Sequence, residues 1–391
     1  MAIKGYRKRN FPFFLEKTGL WFNPSRNVIL LFLQKSRAFF CTISTILQLI
    51  SIFGTGYNKK TLQETAFFGM VGILISTQLL HYRFSQPGIW RLFELLDNFQ
   101  ADHKQEWQKA IFEEESKKAW KVVDNYWKTL MVYCAFYLFL PIFLDFIIGN
   151  IWPSLPDLRV PVPLQGFVDF TGRRSVVNFF LSLLGSTWAL FSIMGHIGVE
   201  CTTYLAIIYT RVEMKIISVK IGMVSDLLAS RPNHPSNPAA LRDPASHHQR
   251  LLSILDQMNE IFGLPIVVQN VFFSVCFCVA MYSVSVVESM EDLMPALQNL
   301  YSMSCCMGIV CYLCVEGESL ETQNNNILSG LYDLPWYQES VTFRRQLNIM
   351  IRQSSTPFVI NFHQRSHLNV NTFMQIINTA YSYFMMLKST T

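Results

Sequence analysis

Long apolar runs separated by charged segments are the dominant pattern of this 391-residue chain. A helix needs about 20 largely apolar residues to cross the hydrocarbon core of a bilayer. Six stretches meet that requirement: 38–57, 62–82, 129–152, 176–209, 261–287 and 296–315. The pattern therefore predicts an all-α membrane protein in which these stretches are transmembrane helices 1 to 6.

A seventh apolar stretch, 370–387, differs from the others because polar residues interrupt it. Asn371, Gln375, Asn378 and Ser382 recur every three or four positions, which places them largely on one face of a helix. A helix this polar is not expected to face lipid on all sides. We therefore predict a seventh transmembrane helix that lies against water or inside the protein.

The distribution of basic residues predicts the orientation of the helices. If the N-terminus is cytoplasmic, 26 of the 32 Lys and Arg residues lie in inside segments and six lie outside. The predicted topology has the N-terminus inside and the C-terminus outside. The first 35 residues are basic and aromatic without an apolar core that ends in small residues, so we expect the first span to act as a signal anchor.

Several predicted cytoplasmic pieces have helical character. Leu92, Leu96 and Phe99 continue a helical spacing beyond the second span, and the fourth apolar segment is longer than a bilayer requires. We predict that these extensions are helices outside the membrane. The run 230–248 is rich in Pro, Asn and Ser, which predicts a flexible loop with His247 and His248 in solvent.

Composition excludes several classes of function. Charged residues make up 15% of the chain, against about 25% in soluble domains, and the basic residues are too dispersed for nucleic-acid binding. Nine cysteines lie in apolar segments, which predicts free thiols. Because no Walker, GxSxG or HExxH motif occurs, we predict no enzyme activity, metal or cofactor.

Three ionisable residues lie at predicted membrane depth: Asp145, His196 and Glu200. Charged groups there are costly, so each is a candidate functional residue. For Asp145, snorkelling to the outer surface or contact with Arg159 is an equally good explanation. For His196 and Glu200, a hydrogen bond between the two side chains one turn apart is the simpler alternative.

The segment that begins at Cys311 carries an ordered set of features. These are an acidic exit from the sixth span (Glu316, Glu318), then Leu331-Tyr332, Trp336, a basic helix around Arg344-Arg345, Pro357, Asn371-Thr372-Phe373 and a last span that ends on Ala380-Tyr381-Ser382-Tyr383-Phe384. As an ensemble, this set resembles the C-terminal third of insect odorant receptors. The rest of the chain matches that family in topology and span spacing.

The resemblance implies a subunit of an odorant-gated, non-selective cation channel, in which four subunits surround a pore lined by their last helices. Cytoplasmic helical extensions would form a shared anchor domain. The family's olfactory co-receptor (Orco) has a long insertion between spans four and five, whereas the segment 211–260 is short here. The chain therefore resembles a tuning subunit that forms a heterotetramer with Orco, in the plasma membrane of olfactory sensory neurons.

This implied architecture divides the chain into three parts: 1–315 with helices 1 to 6, the anchor segment 316–365, and 366–391 with helix 7. Two other receptor classes have seven spans. A G-protein-coupled receptor is disfavoured by the predicted orientation and by the lack of DRY and NPxxY motifs. A gustatory receptor channel is the nearer alternative, although its last-span pattern differs from that of this chain.

Three sets of candidate site residues follow. The predicted pore residues are Gln375, Ser382, Met386 and Ser389, with Met386 as a hydrophobic constriction; the alternative is that the polar stripe only hydrogen-bonds neighbouring helices. The predicted subunit interface contains Leu331, Tyr332, Trp336, Arg344 and Arg345, with packing inside one subunit as the alternative. The predicted ligand site, in the outer halves of helices 2 to 6, contains Phe68, Phe136, Tyr137, Phe180, Trp188, Phe272, Tyr282, Tyr301, Met303 and Ser304.

The chemistry of the predicted ligand site indicates the ligand. Its aromatic and apolar side chains, with a few hydroxyls, suit a small, neutral and mostly hydrophobic volatile. Convergent charges are lacking, so acids and amines are poorer candidates. For each single aromatic residue, packing in the core or contact with lipid is the alternative.

Overall fold

The computed structural model describes residues 36–46, 50, 59–151, 176–230, 238–287, 290–356, 360 and 368–390. Within these ranges the regular elements are helical, and the predicted all-α class is confirmed. The α-helices are α1 (36–46), α2 (Lys59–Asp102), α3 (Glu106–Ile151), α4 (Val176–Ala229), α5 (Arg242–Ser285), α6 (Met290–Tyr332), α7 (Val341–Ser354) and α8 (Val370–Thr390). Short 3-10 turns occupy Pro238–Leu241 and Trp336–Gln338.

Helices α2 to α6 are much longer than a bilayer is thick. They contain between 43 and 54 residues each, and 54 residues at 1.5 Å per residue make α4 about 80 Å long. The hydrocarbon core is about 30 Å thick. By length and composition, the segments Ser182–Ala229, Arg242–Ser285 and Asn299–Tyr332 could each cross a membrane.

Helix α4 is the central element of the bundle. It packs against α2, α3, α5 and α6, and Leu205, Ile207 and Val212 in its middle are fully buried. Because neighbours surround α4, its sequence is apolar on nearly every face rather than amphipathic.

The ends of the helices beyond the predicted spans form a continuous core with α7. Ser340 caps α7 by accepting a hydrogen bond from the Phe343 backbone N–H at 3.3 Å. Phe343, Leu347 and Met350, at helical spacing, are then buried. On α6, the Asn324 side chain donates to the Ser354 carbonyl at the end of α7 over 2.8 Å.

The prediction of a solvated loop through residue 248 is wrong, because α5 already begins at Arg242. His247 and His248 are buried. His247 and His103 each place Nε2 at 3.2 and 3.1 Å from the same oxygen, Oε2 of Glu213 on α4. The buried Glu213 carboxylate is the polar partner that water would otherwise be for His247. Glu213 is distant in the sequence, so the local composition around His247 does not indicate this contact.

Helix α8 lies against α5 and α6. Its approach to α6 depends on Gly317, where an added Cβ would lie 2.1 Å from the carbonyl oxygen of Leu368. One residue further along α6, Glu318 accepts a hydrogen bond from the Val370 backbone N–H at 3.3 Å. The missing side chain of Gly317 thus lets the segment before α8 lie directly on the backbone of α6.

Candidate ligand-binding site

A cavity of about 190 Å³ lies inside the bundle. Six helices, α1 to α6, contribute to its wall. The lining residues are Cys41, Ser44, Thr45, Val71, Gly72, Leu74, Ile75, Tyr126, Leu130, Tyr133, Cys134, Leu138, Trp188, Ala189, Ser192, Ile193, His196, Ile197, Phe273, Ser302, Met303 and Cys306. An apolar protein cavity of about 150 Å³ binds benzene, so this one has room for a small ring with one or two substituents.

Most of the cavity wall is apolar, and most of its hydroxyl groups are already hydrogen-bonded. The Tyr133 hydroxyl and Ser302 Oγ lie 2.6 Å apart. Ser192 donates to the Trp188 carbonyl at 3.1 Å, and Thr45 donates to the Cys41 carbonyl at 2.9 Å. These hydroxyls are thus bonded within the protein and leave a mainly apolar surface, which suits a neutral hydrophobic ligand.

A buried polar network closes one end of the cavity at His196. Gln78 on α2 donates through Nε2 to Glu200 Oε1 at 3.1 Å and to Gln269 Oε1 at 2.9 Å. Gln269 on α5 donates to Glu200 Oε2 at 3.2 Å. His196 Nδ1 lies 2.5 Å from Gln78 Oε1 but 3.9 Å from Glu200. The network therefore joins α2, α4 and α5, and a simple bond between His196 and Glu200 does not describe it.

The cavity includes two of the predicted ligand residues, Trp188 and Met303. Tyr301 is 48% exposed and Phe180 is 61% exposed in the single chain, and Phe136 is exposed as well. Phe272, Tyr282 and Ser304 are likewise absent from its wall, where Phe273 and Ser302 lie instead. The side chains of Phe68, Tyr137 and Asp145 fall outside the described residues.

The cavity also lies nearer the middle of the helices than predicted. On α3 it extends from Leu138 back to Tyr126, and on α4 from Trp188 to Ile197. Polar residues inside apolar spans, such as Tyr133 on α3 and Ser302 on α6, were the available signal for this level. The prediction relied on aromatic content and therefore placed the ligand site nearer the outer ends of the helices.

The face of α8 that carries the predicted pore residues is open in the single chain. Ile376 and Ala380 are buried against the bundle, while Gln375, Ser382, Met386 and Ser389 are exposed. The hydroxyls of Ser382 and Ser389 donate hydrogen bonds to backbone carbonyls of their own helix at 2.8 Å. Because these hydroxyls already have a partner, both residues can face either an apolar or a polar environment. The exposed side chains of this face can contact water or another subunit.

The predicted interface residues divide into two groups. Leu331 is fully buried inside the chain, which is the packing role we held as the alternative. Tyr332, Trp336, Arg344 and Arg345 are exposed. The exposed group, rather than Leu331, is therefore available to another subunit.

A charged cluster ties α3, α4 and α6 together beside this region. Arg211 Nη2 lies 2.9 Å from Glu115 Oε2, and Arg211 Nε lies 2.8 Å from Glu316 Oε2 as an ion pair rather than an aligned hydrogen bond. Partial burial raises the pKa of Glu115, but the hydrogen bond from Lys215 and the charge of Arg211 outweigh it, so the pKa lies below its usual value. Glu115 thus stays charged and paired at neutral pH.

An all-α bundle with an internal apolar cavity and one exposed helix that carries several polar side chains has the features of a membrane receptor. A sequence model of the 7tm Odorant receptor family matches residues 60–381. Because this match covers most of the chain, the chain belongs to the insect odorant receptor family. Its family membership places it among membrane receptors and not among enzymes.

Individual relatives are distant. Odorant receptor 67b of Drosophila melanogaster is 23% identical over 232 residues, 58% of this chain and 53% of the relative. Putative odorant receptor 85d of the same species is 20% identical over 244 residues, 62% of this chain and 58% of the relative. The chain therefore matches only between one half and three fifths of the length of these curated relatives.

Solved structures show the same fold. The insect olfactory receptor OR5 from Machilis hrabei in complex with eugenol superposes with a TM-score of 0.76, covers 100% of this chain and 99% of its own, and is 11% identical. The structure of OR5 described without eugenol has a TM-score of 0.71 at 11% identity and covers 99% and 98%. At this identity the likeness establishes the fold alone.

Proposed function

We propose that the chain is a tuning subunit of an odorant-gated, non-selective cation channel, and that a small neutral volatile binds in the cavity beside Trp188. The observation that carries this proposal is the cavity itself. It is apolar, lies inside the bundle, and has the volume of a small ring compound. Eugenol, with which the related OR5 structure was solved, is a compound of this general kind.

The channel part of the proposal rests on α8. Its buried side, at Ile376 and Ala380, packs on the bundle, while the opposite side carries Gln375, Ser382 and Ser389. Four copies of such a helix around an axis would enclose a water-lined path. Met386 near its end would form the hydrophobic constriction that closes the path by dewetting.

A bound volatile opens the pore only if it binds the open state more tightly than the closed state. The contacts among the helices make such a preference physically reasonable. The cavity wall includes Phe273 on α5 and Met303 on α6, and α8 packs against the same two helices. A ligand that shifts α5 or α6 would thus move the surface on which the pore helix lies.

We place the subunit in the plasma membrane of olfactory sensory neurons, with Orco as its partner. The short segment 211–260 supports a tuning subunit rather than the co-receptor. The positive-inside bias supports a cytoplasmic N-terminus and an extracellular C-terminus. In that orientation, the inner helix ends and α7 form the anchor domain, and exposed Tyr332 and Trp336 face neighbouring subunits.

The test compares two aromatic residues of α4 that sequence reasoning treated alike. Trp188 lines the cavity, whereas Phe180 is 61% exposed on the outside of the single chain. The chain is co-expressed with Orco, and currents are recorded over a panel of volatiles. Trp188→Ala should weaken odorant potency by about tenfold or more, as expected for an aromatic anchor in a pocket, while Phe180→Ala should leave it unchanged.

An Orco agonist provides the control for assembly, because it opens the channel without the odorant site. Its current should persist in both variants. If odorant potency in Trp188→Ala equals that of the unmutated channel, the ligand does not bind in this cavity. If epitope tags on the two termini show the C-terminus inside, the pore arrangement is also wrong.

A further inference from the structure

The polar end of the cavity indicates the chemical class of the ligand. We propose that His196 accepts a hydrogen bond through Nε2 from the ligand, so that the cavity prefers a small aromatic or aliphatic hydroxyl compound over an ether or carbonyl compound of equal size. This inference rests on the proposed function, because it concerns the same cavity.

The hydrogen bonds of Gln78 fix the orientation of its side-chain amide. Its Nε2 lies within hydrogen-bond distance of two acceptors, Glu200 Oε1 and Gln269 Oε1, and an amide nitrogen has two hydrogens to donate. Gln269 in turn donates to the other Glu200 oxygen. The amide nitrogen of Gln78 is therefore fully used, and its oxygen is left as an acceptor.

The Gln78 side-chain oxygen determines the tautomer of His196. Since Gln78 Oε1 can only accept, the His196 Nδ1 that lies 2.5 Å away must carry the proton. In the neutral imidazole the proton on Nδ1 leaves Nε2 as a lone-pair acceptor. The buried network thus fixes, through Gln78, which kind of hydrogen bond His196 can form on its other side.

Nε2 of His196 belongs to a side chain on the cavity wall. His196 is a lining residue of the cavity, although the residue as a whole is buried. Among the described residues, Nε2 of His196 has no hydrogen-bond partner, and the atom is not completely buried. Because His196 lines the cavity, a ligand there is the partner available to this nitrogen, and an apolar molecule would leave it without one.

Two other polar side chains on the cavity wall need controls. Ser44 is a lining residue of the cavity, and the buried hydroxyl of Tyr126 lacks a partner among the described residues. Either hydroxyl can donate to an ether or to a carbonyl oxygen. A site governed by Ser44 or Tyr126 would therefore accept anisole and benzaldehyde as readily as a phenol, whereas a site governed by His196 Nε2 would not.

The experiment uses probes matched in size: cresol, its isomer anisole, benzaldehyde and ethylbenzene. Currents are recorded from cells that co-express the chain with Orco. In the unmutated channel, cresol should be more potent than anisole and benzaldehyde by about fivefold to tenfold, the effect of one neutral hydrogen bond. His196→Asn keeps a donor for Gln78 Oε1 but removes Nε2, so the preference should fall to about twofold or less with little change for ethylbenzene.

Ser44→Ala and Tyr126→Phe are the matched controls and should retain the preference for cresol. The inference is overturned if benzaldehyde is preferred, if none of the four probes evokes a current while the Orco agonist does, or if His196→Asn keeps the preference for cresol. Failure of the proposed function looks different, because Trp188→Ala would then leave the potency of all four probes unchanged.

Discussion

Replacing Gly317 with Ala perturbs the contact between α6 and the segment that leads into α8. The new Cβ would lie 2.1 Å from the Leu368 carbonyl oxygen, and real Cβ atoms essentially never come within 3.0 Å of another heavy atom. The Leu368 backbone must therefore move by about 1 Å. That shift would also strain the hydrogen bond from Val370 N–H to Glu318, which already spans 3.3 Å.

The chain offers a matched control on the same helix. At Gly308 an added Cβ meets nothing within 4 Å in the described structure. Both substitutions gain about 1 kcal/mol of helix propensity, so this term cancels when they are compared. The remaining difference is the cost of overpacking, typically about 1–3 kcal/mol, and Gly317→Ala should be the less stable variant by that amount.

The assay measures thermal stability of the detergent-purified channel by size-exclusion chromatography after heating. Gly308→Ala should have a midpoint equal to or above that of the unmutated protein, and Gly317→Ala should have a lower one. Because α8 would be displaced, resting or odorant-evoked current should change only in Gly317→Ala. Equal midpoints and equal currents in the two variants would show that α8 does not approach α6 at Gly317.

Two further predictions concern the pore and the interface. Met386→Ser should raise resting current or alter ion preference, because a polar side chain removes the dewetted constriction; unchanged conductance and selectivity would exclude Met386 from the gate. Tyr332→Asp should reduce co-purification with Orco while leaving the chain folded, since Tyr332 is 59% exposed, whereas Leu331→Asp should lower the yield of the chain itself because it buries a charge. Normal co-purification of Tyr332→Asp would place the interface elsewhere.

The helices were predictable because their signal is long and repeated. Apolar runs such as 176–209 exceed the length of a bilayer, and α4 covers that run and continues to Ala229. The helical extension of α2 was also predictable, since Leu92, Leu96 and Phe99 repeat at helical spacing and all three are buried. Local periodicity determines these features, so one sequence is sufficient to find them.

The ligand cavity was less predictable because lipid and protein interior are equally apolar. Hydrophobicity therefore does not distinguish Trp188, which lines the cavity, from Phe180, which faces outwards. Successive helical residues also differ by about 100° in direction. Phe272 and Phe273 therefore have different surroundings, and only the second reaches the cavity.

The buried polar network shows a different limit. His196 and Glu200 stand out in the sequence because charged groups are costly at membrane depth, whereas Gln78 and Gln269 do not, because they are neutral. An unsatisfied amide buried in a protein also costs about 1–3 kcal/mol, so a Gln inside an apolar span is nearly as informative as a carboxylate. Only the fold brings Gln78 and Gln269, 191 positions apart, to within 2.9 Å. Since that contact leaves the Gln78 oxygen for His196, residues that never touch the ligand would determine which hydrogen bond the cavity can offer to it.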